Sequence, residues 1–212
     1  MSTESDRKTS FRTRLRAARR ERPRAELDAA GPALARQVLE LPEVLAAKSL
    51  SLYVSGALEP PTAELLAALV ARGQQVLLPV VLPDLDLDWA WYDGPQALGR
   101  AQDTVTPLLE PTGPRLGPDA IGSVDVVLAP GLAVGADGSR LGQGGGCYDR
   151  ALTRVGRHVP VVVLLFDDEV VPEVPAEPHD RRVNTAATPR ASSASLRDVR
   201  AEMDSSRSMA HH

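Results

Sequence analysis

Residues 124–155 read VDVVLAPGLAVGADGSRLGQGGGCYDRALTRV, and the order of their parts decides the fold. Val124–Ala129 is a short apolar run, a glycine-rich stretch follows, and Tyr148–Val155 has the apolar spacing of a helix. Apolar runs without polar alternation fit strands covered on both faces, as in a parallel sheet. Working outward, similar runs recur at Ser49–Ser55, Gln75–Val81 and Val161–Phe166, the last of these read as the final core strand. A further strand is expected around Trp89–Tyr92, with Trp89 and Trp91 on one face as core cover. Thr62 can cap a helix that carries Leu65, Leu66, Leu69 and Val70 and stops at Gly73. Strands alternating with helices give the expected class: α/β, a three-layer α/β/α sandwich around a mainly parallel sheet, with ligand held at the carboxyl ends of the strands.

Upstream, residues 7–20 form a strongly basic helix with Phe11, Leu15 and Ala18 at helical spacing. Pro23 opens a second helix, in which Leu27, Ala30, Leu34, Val38 and Leu41 make an apolar stripe. Gly31-Pro32 interrupts that stripe, so a kink or split is expected there. Residues 93–123 are rich in Gly and Pro and read as mostly irregular. The expected organisation is a single α/β domain over 1–188 and a disordered tail over 189–212, Ser-, Ala- and charge-rich without periodicity. The closing His211-His212 resembles the remnant of a purification tag.

Composition narrows the function classes. A chain of 212 residues that is 43% hydrophobic can bury a substantial core, and its seven aromatics leave that core to Leu, Val and Ala. A net charge of −4 argues against nucleic-acid binding through bulk electrostatics. No apolar run is long enough to cross a bilayer, and the single cysteine, Cys147, excludes an intramolecular disulfide; a cytoplasmic protein is expected.

The chemistry lies in Arg140–Arg150. Gly142, Gly144, Gly145 and Gly146 let the backbone turn tightly and aim consecutive N–H groups at an anion just before a helix. Arg140 and Arg150 bracket the loop and can make charge-assisted bonds to phosphate oxygens, and Asp149 can hold a magnesium ion that accompanies them. Two familiar nucleotide motifs fail. Walker A needs Gly-Lys-Ser/Thr where Gly146-Cys147-Tyr148 stands, and a dinucleotide fingerprint starting at Gly142 needs glycine at Cys147. Cys147 has no histidine close in sequence and reads as packing or ligand contact rather than nucleophile. Asp167-Asp168-Glu169 reads as a solvated loop.

Pro130-Gly131-Leu132-Ala133, followed by the continuous stretch Gly138–Arg150, resembles the signature of the 5-formyltetrahydrofolate cyclo-ligase family, also called 5,10-methenyltetrahydrofolate synthetase. The resemblance spans roughly residues 7–189. It includes Lys8 and Arg12, spaced i, i+4 on one exposed helical face; Val54-Ser55 and Glu59-Pro60-Pro61-Thr62; Leu109-Glu110-Pro111; and Pro178-His179-Asp180 with Val183 and Thr188-Pro189. Cys147 stands where the family commonly has tyrosine, and Asn184 where aspartate is common.

The resemblance implies a catalytic domain. Its reaction is the ATP- and magnesium-dependent cyclisation of 5-formyltetrahydrofolate to 5,10-methenyltetrahydrofolate, with release of ADP and phosphate. By the same resemblance Arg140 and Tyr148 are catalytic. ATP meets Lys8, Thr9, Ser10, Phe11 and Arg12, together with Arg140, Leu141, Gly142, Gln143, Gly144, Gly145, Gly146, Cys147 and Tyr148. Val54, Glu59, Gly145, Gly146, Cys147, Tyr148 and Asp149 face the folate, and Asp149 and Asp180 hold magnesium. The implied partners are the folate and ATP, with no nucleic acid and no membrane, on a monomer or weak homo-oligomer. The alternatives are a non-catalytic sugar-phosphate or nucleotide-binding sensor domain of similar fold, a diverged member without turnover, and a sugar-phosphate isomerase.

Overall fold

The computed structural model describes residues 4–100, 108–176 and 181–190. Among the described residues there are five α-helices: α1 (Glu4–Glu21), α2 (Arg24–Leu39), α3 (Pro42–Ala46), α4 (Ala63–Ala71) and α5 (Cys147–Thr153). The strands of the main sheet are β1 (Ser49–Ser51), β2 (Gln75–Val81), β3 (Leu87–Trp91), β6 (Val126–Pro130), β9 (Val161–Leu164) and β11 (Thr185–Ala187). β4 (Leu98–Arg100) and β5 (Leu109–Pro111) form a small ribbon, while β7 (Ala133–Gly135), β8 (Arg140–Leu141) and β10 (Val170–Val171) form a three-stranded sheet.

The main sheet runs β11-β9-β6-β1-β2-β3, parallel throughout except for the antiparallel β2–β3 pair at one edge. Side chains alternate along each strand, and here both faces are apolar. Leu50, Leu52, Val76, Leu78, Val126, Leu128, Val162 and Leu164 pack against Leu34, Val38, Val44, Leu65 and Leu69 of the α2–α4 layer. Leu77, Val127, Ala129, Val161 and Val163 face Ala151 and Leu152 of α5, with Trp89 and Ile121 completing that side. The central strands therefore lack polar alternation, and the expected three-layer arrangement follows. A third cluster seats Leu15 of α1 on Leu132, Ala133, Leu141 and Val174, which places α1 over the small sheet.

Several expectations need correction. α2 continues through Pro32 without a break. Its burial of Ala30, Gly31, Leu34, Ala35 and Val38 outweighs the lost backbone bond, which costs about 3 kcal/mol. A Cβ on Gly31 would lie 3.2 Å from Pro61 Cβ, so the glycine permits the close approach of the chain entering α4. Within 93–123, read as mostly irregular, the described residues include the short strands β4 and β5, which pair. β9 is not the last strand: Thr185–Ala187 adds β11 beside it. The first expected strand is regular only over Ser49–Ser51, and the expected helix at Tyr148–Val155 is Cys147–Thr153. The expected tail lies outside the described residues beyond Arg190.

Asp125 fixes the entry to the central strands. Its Oδ2 accepts from the main-chain N–H of Lys48 (2.8 Å) and Ser49 (2.9 Å) and from Ser49 Oγ (3.2 Å). The bond from the Ser49 N–H, then that from Lys48, holds the carboxyl below its usual range. A depressed folded-state pKa contributes stability that is complete above the unfolded value, about 3.9, and lost as pH falls through the folded one. Asp125→Asn is therefore expected to melt below the parent at pH 7 and to converge with it on acidification. Thermal melts of both proteins from pH 7 to pH 3 check this; a gap that stays constant across the range would contradict it.

Candidate active site

The ends of β1, β2 and β6 meet at one cavity of about 170 Å³. Tyr53, Val54 and Glu59 follow β1; Pro79 and Val81 come from the end of β2, and Pro130 from the end of β6. Arg140, the glycine loop and the start of α5 close the other wall. All the expected folate-facing residues, Val54, Glu59, Gly145, Gly146, Cys147, Tyr148 and Asp149, line this space, as does the expected catalytic Arg140.

The loop has the backbone its glycines allow. Gly144 (φ 105°) and Gly146 (φ 71°) occupy the left-handed region that disfavours other residues. Gly146 leads directly into α5, and its carbonyl accepts the first helical bond from Arg150.

α1 docks on the loop from outside. Arg12 Nε donates to the Gly142 carbonyl at 3.0 Å. Arg16 Nε donates to Gln143 Oε1 at 3.1 Å, and its Nη2 to the Gln143 carbonyl. A trans peptide points C=O and N–H in opposite directions. Turning these two carbonyls toward α1 thus turns the Gln143 and Gly144 N–H groups away from it. Farther along α1, Arg19 Nη2 donates to the Gly131 carbonyl (2.6 Å), and its fork grips Glu169 at 2.6 and 2.8 Å. Both side chains are almost wholly buried, so Glu169 is a structural counter-ion rather than part of a solvated loop. Arg12, Arg16 and Arg19 share one helical face by their spacing. That signal could have marked Arg16 and Arg19 as contact residues.

The remaining expected residues divide. Lys8 is buried on α1, not on an exposed face, whereas Thr9 and Ser10 are exposed and Phe11 is half-buried beneath the Arg14 guanidinium, 4.5 Å from its ring centre. Leu141 is buried in β8. Arg150 is turned to the carbonyls of Gly145 (3.1 Å) and Leu85; it braces the loop and is absent from the cavity lining. Asp180, the second expected metal ligand, and His179 lie outside the described residues. Among those residues no group of three or more His, Cys, Asp or Glu side chains could hold a metal ion.

Arg140 and Asp149 act as a pair. Arg140 Nη2 donates to Asp149 Oδ1, and Nη1 to the Pro130 carbonyl at 3.2 Å. The guanidinium side chain is 3% exposed, while Asp149 is 51% exposed. Asp149 therefore orients a buried cation while keeping carboxylate surface open to solvent. Tyr148 packs edge-on against Trp89, with ring centres 6.3 Å apart. Burial pushes the Tyr148 phenol well above its ordinary range. Burial also raises the Cys147 thiol, against the pull of Arg150, so it stays a neutral thiol in keeping with packing or ligand contact. Across the cavity, Glu59 Oε2 accepts from the Gly56 N–H at 2.9 Å, which fixes the carboxylate in place. Glu110, expected from the Glu-Pro element, accepts from the Val81 N–H at 2.9 Å and anchors the end of β2.

Comparison with known proteins bears on this geometry. The model of the 5-formyltetrahydrofolate cyclo-ligase family matches residues 4–189. A 5-formyltetrahydrofolate cyclo-ligase of Mycolicibacterium smegmatis is 36% identical over 195 residues, covering 90% of this chain and 97% of the relative. A mouse protein of the same description is 37% identical over 67 residues, 30% of this chain and 33% of its own. The NMR structure of Aquifex aeolicus 5,10-methenyltetrahydrofolate synthetase superposes with a TM-score of 0.73 at 26% identity, covering 90% of this chain and 93% of that one. A synthetase from Mycoplasma pneumoniae shares the fold, with a TM-score of 0.65 at 19% identity over 86% of this chain and 99% of its own. The chain belongs to the 5-formyltetrahydrofolate cyclo-ligase family.

Proposed function

We propose that the chain uses ATP to close 5-formyltetrahydrofolate into 5,10-methenyltetrahydrofolate, and that the cavity between Glu59 and the Arg140–Asp149 pair is where it does so. The supporting observation is a single space bounded by a glycine loop with a buried guanidinium on one side and a fixed carboxylate on the other. A formamide oxygen is a poor leaving group. The γ-phosphoryl is transferred to it first, with ADP departing. The neighbouring secondary amine then attacks the formyl carbon, loses its proton, and phosphate leaves as the ring closes. Phosphoryl transfer depends on alignment and charge cancellation rather than on a side-chain nucleophile.

In this reading Arg140, held from two sides, offers its remaining N–H groups to the transferring oxygens. Loop N–H groups cradle the phosphates, with Lys8 and Arg12 at the α1 end. Magnesium is commonly held by one or two carboxylates together with substrate phosphates, and the half-exposed Asp149 carboxylate fits that role. When bound, the ion would offset negative charge on the phosphates. Among the described residues no helix is long and apolar enough to cross a membrane; a cytoplasmic enzyme, monomeric or weakly self-associating, is the setting proposed.

Glu59 separates a folate enzyme from a generic phosphate binder. In Glu59→Gln the amide oxygen can keep the Gly56 N–H, which turns the NH₂ toward the cavity in place of an acceptor. A mispaired buried group costs about 1–3 kcal/mol, expressed as a raised folate KM or lowered kcat with ATP dependence almost unchanged. Steady-state kinetics in both substrates check this; unchanged folate kinetics would make Glu59 an ordinary loop carboxylate.

A further inference from the structure

Tyr53 is a residue that the reaction scheme above does not use. It stands two residues past the end of β1, is 4% exposed, and lines the cavity with Val54 and Glu59. Its backbone is held firmly: the Tyr53 carbonyl accepts from Thr62 Oγ1 at 2.8 Å, and Thr62 Oγ1 in turn accepts from the Ser55 N–H at 3.0 Å. Its hydroxyl is different. The oxygen is buried and makes no hydrogen bond within the described structure. Buried polar groups without a partner are uncommon and costly. A buried hydroxyl without a partner, on a residue that lines a ligand cavity, points to a partner that arrives with the ligand.

The chemistry of that partner follows from the neighbours. Burial, reinforced by the Glu59 charge, pushes the phenol well above its ordinary range, so it remains a donor at any working pH. The fixed Glu59 carboxylate is an acceptor only. A donor and an acceptor on one wall suit a heterocycle edge that presents N–H donors beside a carbonyl or ring nitrogen. The aminopyrimidinone end of a folate has that alternation.

We propose that Tyr53 is a specificity-determining residue whose hydroxyl donates a hydrogen bond to an acceptor on the folate ring, next to the donors taken by Glu59. The proposal rests on the folate reading of the cavity. It predicts opposite effects in the free and bound protein. Tyr53→Phe removes only the oxygen, so the free protein keeps its melting temperature or gains in it. The bound state loses a bond and leaves a buried substrate acceptor unpaired.

The experiment compares parent and Tyr53→Phe full-length protein in thermal melts with and without 5-formyltetrahydrofolate, and in steady-state kinetics. The expected result is an undiminished melting temperature without ligand and a smaller folate-induced shift. The folate KM should rise about five- to thirtyfold, with the ATP KM within twofold. A lower melting temperature without ligand, combined with unchanged folate KM, would assign the hydroxyl a structural role and overturn the proposal. So would unchanged values throughout. Failure of the parent itself to turn over the folate would instead sink the reading on which the proposal rests.

Discussion

Arg140→Ala is expected to lower kcat by about two to three orders of magnitude, the loss typical of deleting one preorganised donor from a site of developing negative charge. Arg140 is poised for this role because its orientation is paid for in the folded protein, by Pro130 on one side and Asp149 on the other. Its side chain is 3% exposed, so water cannot take over the missing charge. Arg140→Lys should recover only part of the rate, since a point charge cannot meet both partners and a phosphoryl oxygen in one plane. Asp149→Asn should follow the same direction with a smaller effect, because the amide oxygen can still accept from the guanidinium but brings no charge. Steady-state kinetics on the three variants check the series; a kcat for Arg140→Ala within threefold of the parent would contradict the assignment.

The largest expected loss of stability lies elsewhere. Glu169→Ala leaves Arg19 buried without its counter-ion, which typically costs about 3–5 kcal/mol. At roughly 2–4 °C per kcal/mol for a chain of this size, the melting temperature should fall by about 6–20 °C. The Glu169 carboxylate also accepts from the Phe166 N–H at 2.9 Å, and Arg19 ties α1 to the Gly131 carbonyl. Breaking the pair therefore loosens α1 from the loop it braces as well. Replacing both charges by apolar residues, Arg19→Met with Glu169→Leu, should recover much of the loss, since desolvation of the ions is removed together with their attraction. A melting temperature for Glu169→Ala within 2 °C of the parent would contradict this account of the pair.

What was legible in the sequence was what is local and periodic. β6 and β9 are almost wholly buried runs, and their parallel pairing follows from the crossover through α5 between them. The glycine loop declared its backbone through residues that only a tight turn needs, and the cavity formed where that loop and the end of β1 meet. Strands of two or three residues, such as β7, β8 and β10, are too short to show any period. Pro32 does not split α2, and local propensity cannot register the burial that holds the helix continuous. Arg19 and Glu169 are 150 residues apart, and nothing in either neighbourhood announces an ion pair in the core. The sequence singles out Arg140 and Asp149 separately, one as a phosphate contact and one as a metal ligand. Only the three-dimensional structure brings them together as a pair.

Ring closure itself can be followed through the absorbance of the methenyl product. Full-length protein is incubated with 5-formyltetrahydrofolate and magnesium, with ATP, without nucleotide, and with ATP plus excess chelator. The predicted result is an absorbance rise that appears only when ATP and magnesium are both present, matched by stoichiometric release of ADP and phosphate. No rise in the complete mixture, or an equal rise without nucleotide, would contradict the proposed function.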